Sequence, residues 1–226
     1  LPVYSRNYIN LFKNKPAEGK YITDWVESKG YGSCPSGSDM PWTINNLHWS
    51  DQAVGGSMNY HIDGAVTTLN PILASWVYEV IVLNRIYEGL LAVDPYTHED
   101  IPWMAYKWYM KSWINLTEKV DNGMEIVFKL RNDLYWQDGA HINASDVAWN
   151  FAFIKKIQAP EQIALWKYLV RTKIRGEYEI ALYVNATGLW KFYEYAGSAL
   201  TYPKIAWQGI ADYTAATLYK PWTIPH

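Results

Sequence analysis

Histidine, cysteine and carboxylate are the side chains that most often hold metals or move protons, and in this chain they are spread thin. The five histidines stand at 48, 61, 98, 141 and 226, with no pair spaced to put two imidazoles on one metal. His98-Glu99-Asp100 is the densest group of potential ligands, but consecutive side chains point in different directions, so it reads as a solvated loop. Cys34 is the only cysteine, which excludes an internal disulfide and a cysteine-based zinc site. It lies in the turn-rich Gly32-Ser-Cys-Pro-Ser-Gly37, where nothing local would lower a thiol pKa, and reads as a free surface thiol. Gly55-Gly56 lacks the further glycine and lysine of a phosphate cradle, and Gly197-Ser198 lies outside any Gly-x-Ser-x-Gly frame. Asp138-Gly139 is better explained as a turn whose carboxylate accepts backbone N–H bonds. No motif supports catalysis; the chain is read as not an enzyme, with no metal and no cofactor.

Recognition chemistry is better represented. Of 226 residues, 13 are Trp and 19 are Tyr, against 5 Phe. Aromatics with a polar edge suit ligand clefts and interfaces, although use in an ordinary core explains them more simply. The net charge of −2 gives no basic surface of the kind nucleic acid requires, so no nucleic acid partner is expected. No apolar run approaches the roughly 18 residues of a membrane span. Of the three Asn-x-Ser/Thr tripeptides, Asn143 is reserved for capping a helix. Asn115 and Asn185 are left as glycosylation candidates.

The elements that must position such groups follow from periodicity and turn chemistry. Residues 1–12 read as an extended entry and a short helix or irregular segment, 30–41 as a glycine-rich loop, and 42–49 and 57–62 as strands. Pro71 opens a helix expected to run to about Tyr87, with Gly89 as its stop and apolar residues on both sides. Residues 124–130 alternate, with Met124, Ile126, Phe128 and Leu130 on one face and Glu125, Val127 and Lys129 on the other. Asp121-Asn-Gly123 is expected to supply the turn before them. Asn143 and Asp146 have capping-box spacing ahead of a helix over 144–156, with Val147, Phe151 and Ile154 on one face. Strands at 168–174 and 178–184 are joined across Gly176-Glu177. Beyond Trp190 the chain is aromatic and turn-rich. The fold class is α+β, with mixed or antiparallel sheets and two prominent helices.

Several of these pieces occur in an order that resembles the start of the family 5 extracellular solute-binding proteins, receptors that serve ABC importers. The motifs are Leu69-Asn70-Pro71, Tyr87-Glu88-Gly89-Leu90, the segment Ile101-Pro-Trp-Met-Ala-Tyr-Lys-Trp108, Phe128-Lys-Leu-Arg131, Trp136-Gln-Asp-Gly139 and Asn143-Ala-Ser-Asp-Val147. Asn143 stands where the family has Thr and Met104 where it has Leu; both keep the capping and packing roles. The resemblance implies lobe I of a type II periplasmic-binding-protein clamshell, with lobe II largely absent. Residues 57–226 resemble the family's N-terminal lobe I with its extra subdomain, 51–56 form a joint, and 1–50 resemble the C-terminal return into lobe I. That inverted order implies either tandem copies or a circularly permuted lobe.

By the same resemblance the ligand is an oligopeptide or oligosaccharide held in an interlobe cleft, and the partners are the membrane subunits of an ABC importer. The location is extracellular, periplasmic or on the cell surface, with a membrane anchor in the full-length protein. The residues opening the helix after the Leu-Asn-Pro turn, Ala74, Ser75, Trp76 and Val77, are then the expected ligand wall, with Gln162 and Trp166 as further candidates. Serine at 75 leaves no carboxylate there to meet a ligand amine. The alternative is a cell-surface assembly protein that reuses the fold.

Overall fold

The computed structural model describes residues 22–23, 48–49, 62, 64–94, 97, 99–198 and 201–220. The chain forms two compact units, Leu1–Asp63 with Val93–Glu99, and Gly64–Ala92 with Asp100–His226. In the first, Ile22–Thr23 (β1) and His48–Trp49 (β2) pair antiparallel. Of the strand expected over 42–49, only its last two residues fall among those described. The expected elements at 1–12 and 30–41, the joint at 51–56 and residues 57–61 lie outside the described residues, as does Cys34. Ile62 is described and belongs to no strand.

In the second unit, the turn at Leu69-Asn70-Pro71 forms but the helix behind it starts later than expected, at Val77–Leu83 (α1). Asn70 explains the first part: its side-chain oxygen accepts from Ile72 N (3.0 Å) while its carbonyl accepts from Leu73 and Ala74 N (both 3.0 Å). Glu79 explains the restart. Its carboxylate reaches back to Ser75 N (3.0 Å) and Trp76 N (3.2 Å), taking up N–H groups that a continuous helix would have bonded to its own carbonyls. Only Glu79 and Leu83 of α1 are buried, whereas Val77 and Val80 are exposed, so burial on both sides does not occur.

Leu91–Val93 (β3) and Asp100–Pro102 (β4) make a two-stranded sheet. The main sheet is four-stranded and antiparallel: Ala105–Asn115 (β5), Val120–Leu130 (β6), Glu179–Val184 (β8) and Leu169–Gly176 (β7), in that spatial order. β6 begins earlier than expected and absorbs Asp121-Asn-Gly123. The turn falls instead on Leu116–Glu118, because Asn115 accepts from Thr117 and Glu118 N and Lys119 takes the left-handed conformation (φ 57°). Gly123 stays in the strand because its backbone is crowded: a Cβ there would lie 2.5 Å from Val120 and 2.7 Å from the Val184 carbonyl. Gly123→Ala is therefore expected to cost about 1–3 kcal/mol through overpacking, measured by urea unfolding.

The capping box forms as expected. Asn143 accepts from Ser145 N (2.8 Å), Asp146 accepts from Asn143 N (3.0 Å), and the helix runs Ala144–Ile157 (α2). Its Val147, Phe151 and Ile154 pack with Met124, Ile126, Phe128 and Leu130 of β6 in one buried cluster. Each such side chain contributes about 1.5–3 kcal/mol relative to exposure. Ile163–Trp166 (α3), Leu189–Tyr193 (α4), Lys204–Trp207 (α5) and Tyr213–Leu218 (α6) follow. Among the described residues after Trp190 the chain is thus largely helical. Its helices are too short to show a period, and they are held by buried Phe192, Tyr195, Tyr202 and Trp207.

Candidate functional site

Two of the resemblance-derived residues, separated by 88 positions, come together around one cavity. It has a volume of about 430 Å3. Pro71 and Ala74 from the Leu-Asn-Pro turn form one wall, Val80, Leu83 and Asn84 of α1 a second, and Glu161, Gln162, Ala164 and Leu165 a third; Glu194 and Gly197 complete it. The walls are tied together directly, since Gln162 Nε2 donates to the Pro71 carbonyl (3.1 Å).

The support beneath the turn is Glu79, which sequence reasoning assigned to no site. Its buried carboxylate accepts from the Thr67 hydroxyl, Thr68 N (3.2 Å), Ser75 N and Trp76 N. Burial alone would raise its pKa, but these hydrogen bonds to the charged form outweigh it and hold the carboxyl below its usual range. An acid inside an otherwise apolar helical stretch was the available signal.

The remaining candidates are placed differently. Ser75 and Trp76 lend their backbone N–H groups to Glu79, and the side chains of Trp76 (64 % exposed) and Val77 (61 %) stand open to solvent. Val77 shares a helix face with Val80, one turn from the cavity wall. Trp166 does not line the cavity: its indole N–H donates to Ala159 O (2.8 Å) and its ring packs on the core. Asn115 spends its side chain on the turn, with Nδ2 donating to Glu118 (2.7 Å), whereas Asn185 lies exposed just past β8.

The cavity's charge is one-sided. Glu161 and Glu194 line it, with no lysine or arginine among the lining residues. Glu194 is paired with Lys191. Glu161 is met only by the neutral Tyr213 hydroxyl (3.1 and 3.3 Å) among the described residues.

The other shared motifs meet each other rather than this cavity. Gln137 Nε2 donates to Ile86 O (3.2 Å), and Trp136 and Gln137 face Tyr87 and Glu88 across a smaller space of about 180 Å3. Asp138 accepts from Ala140 N (2.9 Å) and Gly139 takes φ 84°, the turn expected from the sequence.

Apolar walls for contact and a few fixed polar groups for orientation are the make-up of a recognition site. Residues 100–217 match the family described as "Bacterial extracellular solute-binding proteins, family 5 Middle", and the chain belongs to that family. It is 36% identical over 99 residues to the peptide transport periplasmic protein SapA of Salmonella typhimurium, covering 41% of this chain and 16% of that protein. It is 23% identical over 155 residues to the probable peptide-binding protein YejA of Agrobacterium fabrum, covering 69% and 24%. The chain therefore spans a quarter or less of these relatives' lengths. Its fold resembles that of the oligopeptide-binding protein AppA from Bacillus subtilis, solved with a nonapeptide, at TM-score 0.54 and 18% identity over 69% of this chain and 28% of that one.

Proposed function

We propose that this chain supplies part of lobe I of an extracytoplasmic receptor that captures oligopeptides and presents them to the membrane subunits of an ABC importer. The observation that carries this reading is the cavity in which Ala74 and Gln162 meet. Its volume lies within the range of about 300–1,000 Å3 usual for ligand pockets. Peptides are favoured over oligosaccharides because both relatives named above carry peptide binding or transport in their names. Those names lend nothing to the alternative of a surface assembly protein. The exposed Trp76, Val77 and Val80 would be covered when a second lobe closes on the ligand, and a membrane anchor in the full-length protein would keep the receptor near its importer.

Thermal unfolding in panels of oligopeptides and oligosaccharides tests the reading, in this chain and in a version extended by a second lobe. Ligand at a hundred times its Kd stabilises the native state by about 2.7 kcal/mol. A shift with peptides in the extended version is the expected result; no shift with any peptide in either version would overturn it.

The open carboxylate of Glu161 adds a finer expectation. One unneutralised charge a few ångströms from a ligand cation is worth about 1 kcal/mol at high dielectric. Peptides with a basic side chain should therefore bind about fivefold more tightly than neutral ones of equal length. Glu161→Gln should remove that preference in calorimetric titrations.

A further inference from the structure

The face of the four-stranded sheet turned away from α2 carries chemistry that solute binding does not use. Strand register sets its side chains in cross-strand rows. Lys107, Lys129 and Glu179 form one, Tyr109, Val127, Ala181 and Lys173 the next, and Lys111, Glu125, Tyr183 and Arg171 the third. Arg175 reaches in from the irregular end of β7, donating to Glu125 and to the hydroxyls of Tyr183 (3.3 Å) and Tyr109 (3.2 Å).

Six basic side chains thus share a face with two carboxylates, and both carboxylates are spent. Glu125 is buried between Lys111 (2.7 Å) and Arg175, and Glu179 meets Lys129 (3.4 Å). Arg171 lies over the Tyr183 ring (3.9 Å) and pairs with Glu118 (3.2 Å) at the edge of the face. Lys107 and Lys173 are exposed and make no ion pair among the described residues. The net charge of −2 conceals this face because it averages over the whole chain.

Beside the basic rows, the β5–β6 hairpin ends in a polar turn, Thr117, Glu118 and Lys119, which carries the exposed Leu116. Leu116 is 78% exposed, and Trp113 packs edge-on against Tyr183 at 4.8 Å; Ile114, next to Trp113 in β5, points to the other face of the sheet.

We propose that this sheet face and hairpin tip dock on a bilayer surface rich in anionic phospholipid. Flat, spaced lysines without partners fit charge spread over a plane, and each basic residue near such a surface strengthens binding about fivefold. The exposed Leu116 beside the basic rows supplies the apolar contact that interfacial binding adds to charge. An acidic protein would satisfy the lysines but gives Leu116 nothing to do. The inference is independent of what fills the cavity.

Flotation of the full chain with vesicles tests it, comparing equal parts phosphatidylcholine and phosphatidylglycerol with phosphatidylcholine alone at about 0.1 M salt, where charges are screened beyond roughly 10 Å. The chain should float with the anionic vesicles and not the neutral ones. K107Q/K173Q should weaken binding about 25-fold at an unchanged melting temperature. L116S should weaken it several-fold, and K204Q on α5, away from this face, should leave it unchanged. Failure of the unaltered chain to bind anionic vesicles, equal binding to neutral ones, or full affinity in the double variant would each overturn the proposal. Capture of poly-glutamate but not vesicles would overturn it in favour of an acidic protein partner.

Discussion

Replacing Glu79 with alanine is expected to cost about 2–4 kcal/mol of stability and to lower the melting temperature by roughly 5–15 °C. The loss is large because one carboxylate serves the Thr67 hydroxyl and the backbone N–H groups of Thr68, Ser75 and Trp76. Removing it strands several donors at once, each costing about 1–3 kcal/mol where water cannot replace the acceptor. Glu79→Gln keeps one acceptor oxygen but turns an N–H donor toward donors, so its loss should be intermediate.

The charge also gives the effect a pH signature. The folded-state pKa of Glu79 is depressed, so its contribution is fully present above the unfolded carboxylate value of about 4.3. It is lost as the pH falls through the lower folded value. The stability gap between the unaltered protein and Glu79→Gln should accordingly be widest near neutrality and narrow below about pH 4. A gap independent of pH in urea titrations would show that the carboxylate does not act through its charge.

Filling the cavity should have the largest effect on binding. Ala74→Trp places an indole where the Leu-Asn-Pro turn faces Gln162, inside a space of about 430 Å3. Affinity for whichever peptide stabilises the protein should fall at least about 100-fold, or about 2.7 kcal/mol. Stability should change little, because Ala74 is only half-buried and its neighbour Ser75 is exposed. Unchanged affinity with an unchanged melting curve would remove this cavity from the ligand path.

Around these two residues the sequence was legible in part. The turn at Leu69-Asn70-Pro71 could be read because Asn and Pro act on their immediate neighbours. The restart of the helix six residues later could not, because it depends on where the Glu79 side chain finds donors. The edge strand Ala105–Asn115 escaped notice for a related reason. Most of its side chains are exposed on both faces, so it lacks the alternation that marked β6.

Local chemistry determined by itself the capping box at Asn143, the turn at Asp138-Gly139, the core face of β6 and, through motifs in a fixed order, the family. Each of these rests on interactions within a few residues, so residue type and spacing are enough. Tertiary structure alone decided that Gln162 donates to Pro71 across 91 positions, and that Ala74 and Gln162 share a cavity while Trp166 is anchored elsewhere. It also decided that lysines and arginines from three strands gather on one face of a chain with net negative charge. Those outcomes depend on strand order and packing between distant segments, where many arrangements satisfy the same local preferences and burial selects one.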